Sequence, residues 1–326
     1  MPKLNMVQAI NLALDELMAE DESVVLLGED IGVDGGVFRV TDGLHAKYGE
    51  HRVIDTPLAE SAIMGAAIGM ALGGLKPVGE MQFSGFSYLM IPQLEGHASR
   101  LRGRTLGESH VPLVIRMPYG GGVRALEHHS ESREVFYAHT PGTKVVIPSG
   151  PRNARALMRA AVLDPDPVVF MEPKRSYRAF REEVPDAPET MEIGRCHVEK
   201  EGKDITVVAW GAMMHAARKA VAELEAERGV SVELVDVLTM APLDGETIAA
   251  SVRKTGRLAV IQEAPRTYGA AAEIIAQVND KALMYLEAPV KRVTGYDVVT
   301  PYFGRELQYI PTVARAKRGI EEALDF

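Results

Sequence analysis

The sequence predicts an α/β protein of two domains, each a largely parallel sheet with helices on both faces. Three observations carry this. The chain has 326 residues, which suits two domains of about 150 residues better than a single core. Short continuous Val/Ile runs alternate with segments of helical period, the pattern of strands buried on both faces. A charged, proline-bearing stretch, R-S-Y-R-A-F-R-E-E-V-P-D-A-P-E-T, has few apolar residues to bury and reads as a break. The expected division is therefore a domain over 1–178, a linker over 179–195 and a second α/β domain over 196–326.

Taken in order, residues 5–20 repeat apolar positions at three and four, a helix with Asn5 as its N-cap. V-V-L-L-G-E-D reads as a buried strand running into a loop. A strand at Arg52–Asp55, a helix from Ala59 to about Gly73, a strand Pro77–Phe83 and a helix over about Phe86–Leu101 follow. Then come strand P-L-V-I-R-M-P, the turn Y-G-G-G-V, strand K-V-V-I-P, helix Pro151–Leu163 and strand P-V-V-F-M-E-P. Beyond the break the alternation resumes with D-I-T-V-V-A-W-G, helix Met213–Arg228, strand V-S-V-E-L-V-D-V and helix Asp244–Lys254. Strand R-L-A-V-I-Q-E, a helix over about Ala270–Leu286, strand P-V-K-R-V-T-G and a last helix from Pro311 complete the chain.

Composition narrows the function. Lys plus Arg number 36 against 45 Asp plus Glu, a net charge of −9, the wrong sign for a dedicated nucleic-acid binder. The single cysteine, Cys196, can form neither an internal disulfide nor a thiolate metal cluster, and its setting reads as a half-buried strand residue. With no apolar signal core at the N-terminus and no run long enough to span a bilayer, the expectation is a cytoplasmic protein. G-x-G-x-x-G after a strand, a P-loop, a G-x-S-x-G elbow and H-E-x-x-H are all missing, which disfavours a Rossmann dehydrogenase in particular. His128 and His129 are adjacent and cannot both face one metal from a regular element.

One segment stands apart: D-T-P-L-A-E-S-A-I-M-G-A-A-I-G-M-A-L-G-G. Glu60 opens a helix that carries no further charge until Lys76, so the helix is expected to be buried. A carboxylate in the first turn is favoured by the helix dipole and is ordinarily a cap. At the edge of an apolar environment it is also a candidate for proton exchange. Gly65, Gly69 and Gly73 recur every four residues on one face, at a cost of about 1 kcal/mol each relative to Ala. Such a face is expected where another backbone comes close, in the same domain or across a subunit interface.

Glu60, with Gly65 five residues on and Gly69 four beyond, resembles the shared pattern of thiamine-diphosphate enzymes of the transketolase-like superfamily. More strings agree in order over about 300 residues: L-G-E-D-I-G, G-G-V-F-R-V-T-D-G-L, G-E-M-Q-F-S-G-F, R-M-P-Y-G-G-G-V, E-H-H-S-E-S, K-V-V-I-P-S, D-P-V-V-F-M-E-P-K-R, V-V-A-W-G, E-A-P-R-T and Y-I-P-T-V. Together they resemble the beta subunit of 2-oxo acid dehydrogenases. The resemblance implies a pyrimidine-binding domain followed by a transketolase C-terminal-type domain. It also implies oxidative decarboxylation of a 2-oxo acid with reductive acylation of lipoyl groups. By the same resemblance Glu60 partners the cofactor's pyrimidine, with Leu58, Gln82 and Phe86 around the ring and the substrate. His129 would hold the substrate carboxylate and donate a proton as the acyl group passes on. Relatives acting on branched substrates commonly carry Tyr where Phe86 stands, so this departure leans towards pyruvate, with branched-chain acids next.

The family's other half-site, Gly-Asp-Gly followed by a double Asn that holds Mg²⁺ on the diphosphate, is missing here. The chain has no Gly-Asp pair, and its four asparagines are never adjacent. The resemblance therefore implies an α₂β₂ tetramer in which an alpha subunit holds the diphosphate and Mg²⁺, the beta chain being active only with it. It further implies a potassium site at Ala161, Asp164 and Asp166, for which a solvated acidic turn is the ordinary alternative. Docking of the lipoyl acyltransferase core is expected at Asp297 and at Phe326 with Asp325. An acetoin-cleaving relative would share nearly all these strings. A non-catalytic scaffold subunit is the reading from another class, and a scaffold needs neither Glu60 nor His129.

Overall fold

In the computed structural model, which describes residues 1–326, Asn5 caps helix Met6–Glu20 reciprocally. Its side-chain oxygen accepts the Gln8 amide at 3.0 Å, and the Gln8 side chain accepts the Asn5 amide at 3.2 Å. Two of the four donors that every helix start leaves open are thereby satisfied. This helix packs on Pro151–Leu163, and the contact carries charge. Arg155, almost wholly buried, pairs with Glu16 at 2.5 Å, and Arg159 reaches Glu20 at 2.8 Å.

The chain divides into Met1–Tyr119 with Phe136–Ile193, and Gly120–Val135 with Gly194–Phe326. In the first unit the strands lie in the order Lys144–Val146, Val168–Pro173, Val114–Tyr119, Lys76–Glu80, Val24–Gly28, Val53–Asp55, every neighbour parallel. The Val24–Gly28 strand is buried at every residue, as a continuous apolar run between two helical layers requires. Its successor pairs on one side and the next strand on the other. The order therefore reverses between Val24–Gly28 and Lys76–Glu80, and in open parallel sheets ligands bind beyond the carboxyl ends of strands at such a point.

In the second unit the parallel strands Lys291–Val293, Leu258–Ile261, Ile205–Ala209 and Val232–Asp236 end on an antiparallel edge strand, His197–Lys200. Helices Met213–Arg228 and Val313–Leu324 bury Met214, Leu224, Ala316 and Ile320 against Val207 and Ala259. No helix of the chain is long and apolar enough to cross a membrane.

The structure differs from expectation in three places. The single helix over about Phe86–Leu101 is broken into a turn Ser87–Leu89, helix Ile91–Gly96 and further short turns up to Arg104. Pro92 fits only a helix start, and His97 leaves helical geometry at φ −127°, so each turn begins afresh. The expected linker is structured: Glu182–Glu183 pairs antiparallel with Lys3–Leu4, and Val184 is fully buried. The turn after Tyr119 groups with the second unit, although it lies inside the stretch 1–178 assigned to the first.

Candidate active site

The carboxyl ends of three adjacent parallel strands deliver the residues around Glu60. Val24–Gly28 leads into Glu29 and Asp30, Lys76–Glu80 into Gln82, and Val53–Asp55 into Leu58 and Glu60. Gln82 Nε2 donates to Asp30 Oδ2 at 3.3 Å across the strand reversal. Asp55 closes the loop beneath by accepting the Gly32 amide at 2.6 Å. Glu60 is the first residue of helix Glu60–Leu72, whose N-cap is Ala59, with no capping side chain.

Glu60 is only 5% exposed, and its Oε2 is buried without any hydrogen-bond partner. Leaving a buried acceptor unpaired costs about 1–3 kcal/mol, and no group of this chain pairs with this oxygen. The carboxyl of Glu29 is pushed up from its ordinary range, first by burial and then by the negative charge of Asp30 and Glu60. In L-G-E-D-I-G, Glu29 and Asp30 carry no signal of a role, because nothing in the spacing reveals which acids come together at a strand end. Leu58 is 68% exposed. Phe86 meets Phe83 edge to face at 5.8 Å, and Phe83 meets Phe38 in the same way at 5.8 Å.

Below these loops, Arg116 is buried between two carboxylates. Its Nε and Nη2 donate to Glu172 at 2.7 Å each, its Nη1 donates to Glu80, and Tyr177 donates to Glu172 at 2.5 Å. Burial pushes the Glu80 carboxyl up to about 7 against the pull of Arg116. The pairing ties three neighbouring strands together where they end. A buried ion pair of this kind is weak evidence for stability and stronger evidence for a fixed register.

The glycine face of the helix has no neighbour within the same chain. The helix buries Ile63, Met64, Ala67 and Ala71 but not its opposite side, so it is not buried all round. A Cβ at Gly65 or Gly69 would meet nothing within 4 Å; no other backbone of this chain comes close to that face.

His129 lies in the second unit, in the turn Glu127–His129, half-buried beside an exposed His128. Its amide donates to Leu126 O at 3.0 Å, and Ser130 Oγ donates to the same carbonyl oxygen at 3.0 Å. Buried acids surround this loop, and spacing gives no sign of them. Glu134 receives the Trp210 indole N–H at 3.3 Å, while burial, aided by Glu263, pushes its carboxyl up to about 7. Glu263 and Glu306 accept backbone amides of the loop.

The acidic turn expected to hold potassium is already paired. Both Asp164 oxygens accept from Lys144 Nζ, at 2.7 and 2.6 Å, and Asp166 accepts from Arg102 Nε at 2.6 Å. The Ala161 carbonyl takes the Asp164 amide at 3.3 Å. Two cations of the chain, Lys144 and Arg102, thus neutralise the turn. Nowhere do three or more His, Cys, Asp or Glu side chains gather to hold a metal ion. Cys196 sits against Asp244, and burial pushes its thiol far above the usual range, an inert setting. Asp297 is exposed, but it accepts both the amide and the hydroxyl of Thr267, at 2.8 and 2.7 Å. Asp325 pairs with Arg228, and the Phe326 ring is 74% exposed.

Comparison with known proteins defines the class. The family profile described as "Transketolase, pyrimidine binding domain" matches residues 2–179, and "Transketolase, C-terminal domain" matches 194–315. A solved structure titled "Split gene transketolase, inactive beta4 tetramer" superposes with a TM-score of 0.80 at 24% identity, covering 99% of both chains; this likeness concerns the fold. The "Pyruvate dehydrogenase E1 component subunit beta" of Acholeplasma laidlawii is 53% identical over 308 residues, 94% of each chain. Its namesake in Bacillus subtilis (strain 168) is 46% identical over the whole of both chains. The chain belongs to this family of transketolase-type beta subunits, which uses thiamine diphosphate.

Proposed function

We propose that the chain is the beta subunit of a pyruvate-type 2-oxo acid dehydrogenase, working with an alpha subunit in an α₂β₂ tetramer. One observation carries the reading: the partnerless, buried Oε2 of Glu60, at the strand reversal where such sheets bind ligands. A carboxyl so placed, when protonated, can donate to a ring nitrogen that has a lone pair and no proton of its own, which is what the pyrimidine of thiamine diphosphate offers. When bound, that cofactor supplies a nucleophilic carbon for attack on the 2-oxo carbonyl.

Everything else asked of this chain is done by its own side chains. Glu60 holds and returns a proton at the pyrimidine nitrogen. Leu58, Gln82 and Phe86 border the ring and the substrate, and Phe86, standing where relatives acting on branched substrates commonly carry Tyr, leans towards a small acid. His129 binds the substrate carboxylate and donates a proton to the sulfur released when the lipoyl disulfide is cleaved and its other sulfur takes up the acyl group. Diphosphate and Mg²⁺ fall to the alpha subunit, because a hard cation needs oxygen ligands and the family's motif for supplying them, Gly-Asp-Gly with a double Asn, is missing from this sequence. Potassium at Ala161, Asp164 and Asp166 would compete with Lys144 and Arg102 for the same oxygens. The acyltransferase core docks at Asp297 and Phe326.

The test is Glu60→Gln in the reconstituted tetramer, with pyruvate and branched 2-oxo acids as substrates. Amide for carboxyl keeps the shape and removes the titrating oxygen. Assembly should persist while hydrogen–deuterium exchange at the cofactor's C2 slows by orders of magnitude. An unchanged exchange rate returns Glu60 to helix capping, and a preference for branched acids overturns the pyruvate assignment.

A further inference from the structure

The turn Y-G-G-G-V and the loop behind it, Gly120–Val135, wrap around two buried carboxylates that the chemistry above does not use. Glu306 is fully buried; its Oε1 accepts the Gly122 amide at 2.7 Å and its Oε2 the Arg124 amide at 3.0 Å. Glu263, 5% exposed, accepts the Gly121 amide at 2.5 Å and the Ser132 hydroxyl at 3.2 Å on one oxygen. The Gly120 amide donates to Glu131 O at 3.0 Å and closes the loop at its neck.

The loop backbone is shaped to these acids. A Cβ on Gly120 would come within 2.7 Å of Glu263 Oε1, and one on Gly121 within 2.9 Å of Glu306 Oε1. Arg124 adopts φ +60°, a left-handed geometry that a side-chain-bearing residue keeps only when its surroundings impose it. Its amide is the one that Glu306 Oε2 accepts. Carboxylates are acceptors only, so two of them can take four donors from a loop that has no regular partner strand.

We propose that Glu306 and Glu263 are positioning residues for His129. They fix the 120–132 loop from both sides, so that the imidazole meets the acyl group in one geometry. The inference rests on the role given to His129 above. A displacement of about 1 Å in such a group is worth as much as 100-fold in rate, while substrate binding through other contacts persists.

Glu306→Gln is the direct test, because its amide nitrogen would face a backbone N–H that the carboxylate oxygen accepted. In the assembled enzyme, reductive acylation of a lipoyl domain should slow by about 10–100-fold, with assembly intact. Peptides covering Gly122 and Arg124 should exchange hydrogen faster than in the wild type. The double variant Glu306→Gln/His129→Ala should be no slower than His129→Ala alone, since residues that act as a unit are not additive. Independent, multiplying effects overturn the proposal, as does wild-type amide protection in Glu306→Gln. Should Glu306→Gln fail to fold, Ser132→Ala, which removes one donor to Glu263, carries the same test with a smaller loss. Acylation at the wild-type rate in His129→Ala overturns the role of His129 itself; the anchoring then stands or falls on amide exchange alone.

Discussion

Glu134 offers a sharp measurement because it sits against the only tryptophan of the chain. Its carboxyl ordinarily titrates at 4.5, and in the folded protein burial raises this to about 7, with Glu263 adding to the rise and the Trp210 N–H opposing it. Each tenfold change in proton affinity is about 1.4 kcal/mol, so ionising this group in place costs about 3 kcal/mol. Which state holds the proton sets the sign. Between pH 4.5 and 7 the unfolded chain has lost it and the folded chain keeps it, so stability falls as pH rises through that window. Above 7 the whole penalty is present, and below 4.5 it is gone. Glu134→Gln cannot titrate, yet it preserves an acceptor for the indole. The variant should therefore match the wild type near pH 4.5 and gain up to about 3 kcal/mol on it by about pH 8. At roughly 2–4 °C per kcal/mol for a unit of this size, that is about 6–12 °C in Tm. Trp210 fluorescence in the wild type should also titrate near 7, and in Glu134→Gln it should not. Identical pH dependence of Tm in the two proteins, or fluorescence flat from about pH 5 to 9, would refute the reasoning.

Other outcomes follow from the site. His129→Ala should impair single-turnover acylation of lipoyl groups far more than assembly, and a wild-type rate would remove it from the mechanism. The isolated chain should bind thiamine diphosphate weakly even with Mg²⁺; tight binding by calorimetry would sink the division of the cofactor between two chains. Phe326→Ala should weaken capture of the acyltransferase docking domain in surface-plasmon binding while decarboxylation of free substrate stays unchanged. Asp297→Lys should do the same more strongly at low salt than at high salt, and equal affinity in the variants and wild type would refute the docking role.

Much of this architecture is legible in the sequence because the responsible signals are local. Buried parallel strands announce themselves as V-V-L-L-G or I-T-V-V-A, and Asn5 with Gln8 spells out its own cap. Helices Pro151–Leu163 and Met213–Arg228 fall where their apolar period places them. Glu60 stands out because a lone acid precedes an uncharged helix. What escapes is set by distance along the chain. The Gly122 amide meets a carboxylate 184 residues away, and Trp210 meets Glu134 across 76. A single sequence carries no period or spacing for such pairings. The broken run after Phe86 escapes for a different reason: its apolar pattern is helical, and Pro92 and His97 overrule it one turn at a time.

The loop that groups with the second unit also bears on how this protein can be divided. The stretch matched as a C-terminal domain starts at residue 194, yet Gly121, Gly122, Arg124 and Ser132 lie far upstream of it. A fragment beginning at Gly194 would lack the loop that covers Glu263 and Glu306 and, with it, these four donors that they accept. Cutting the chain at the apparent boundary therefore frees no complete module. Exchange of this domain between relatives, by recombination or by design, has to carry Gly120–Val135 along with it or replace both acids at once.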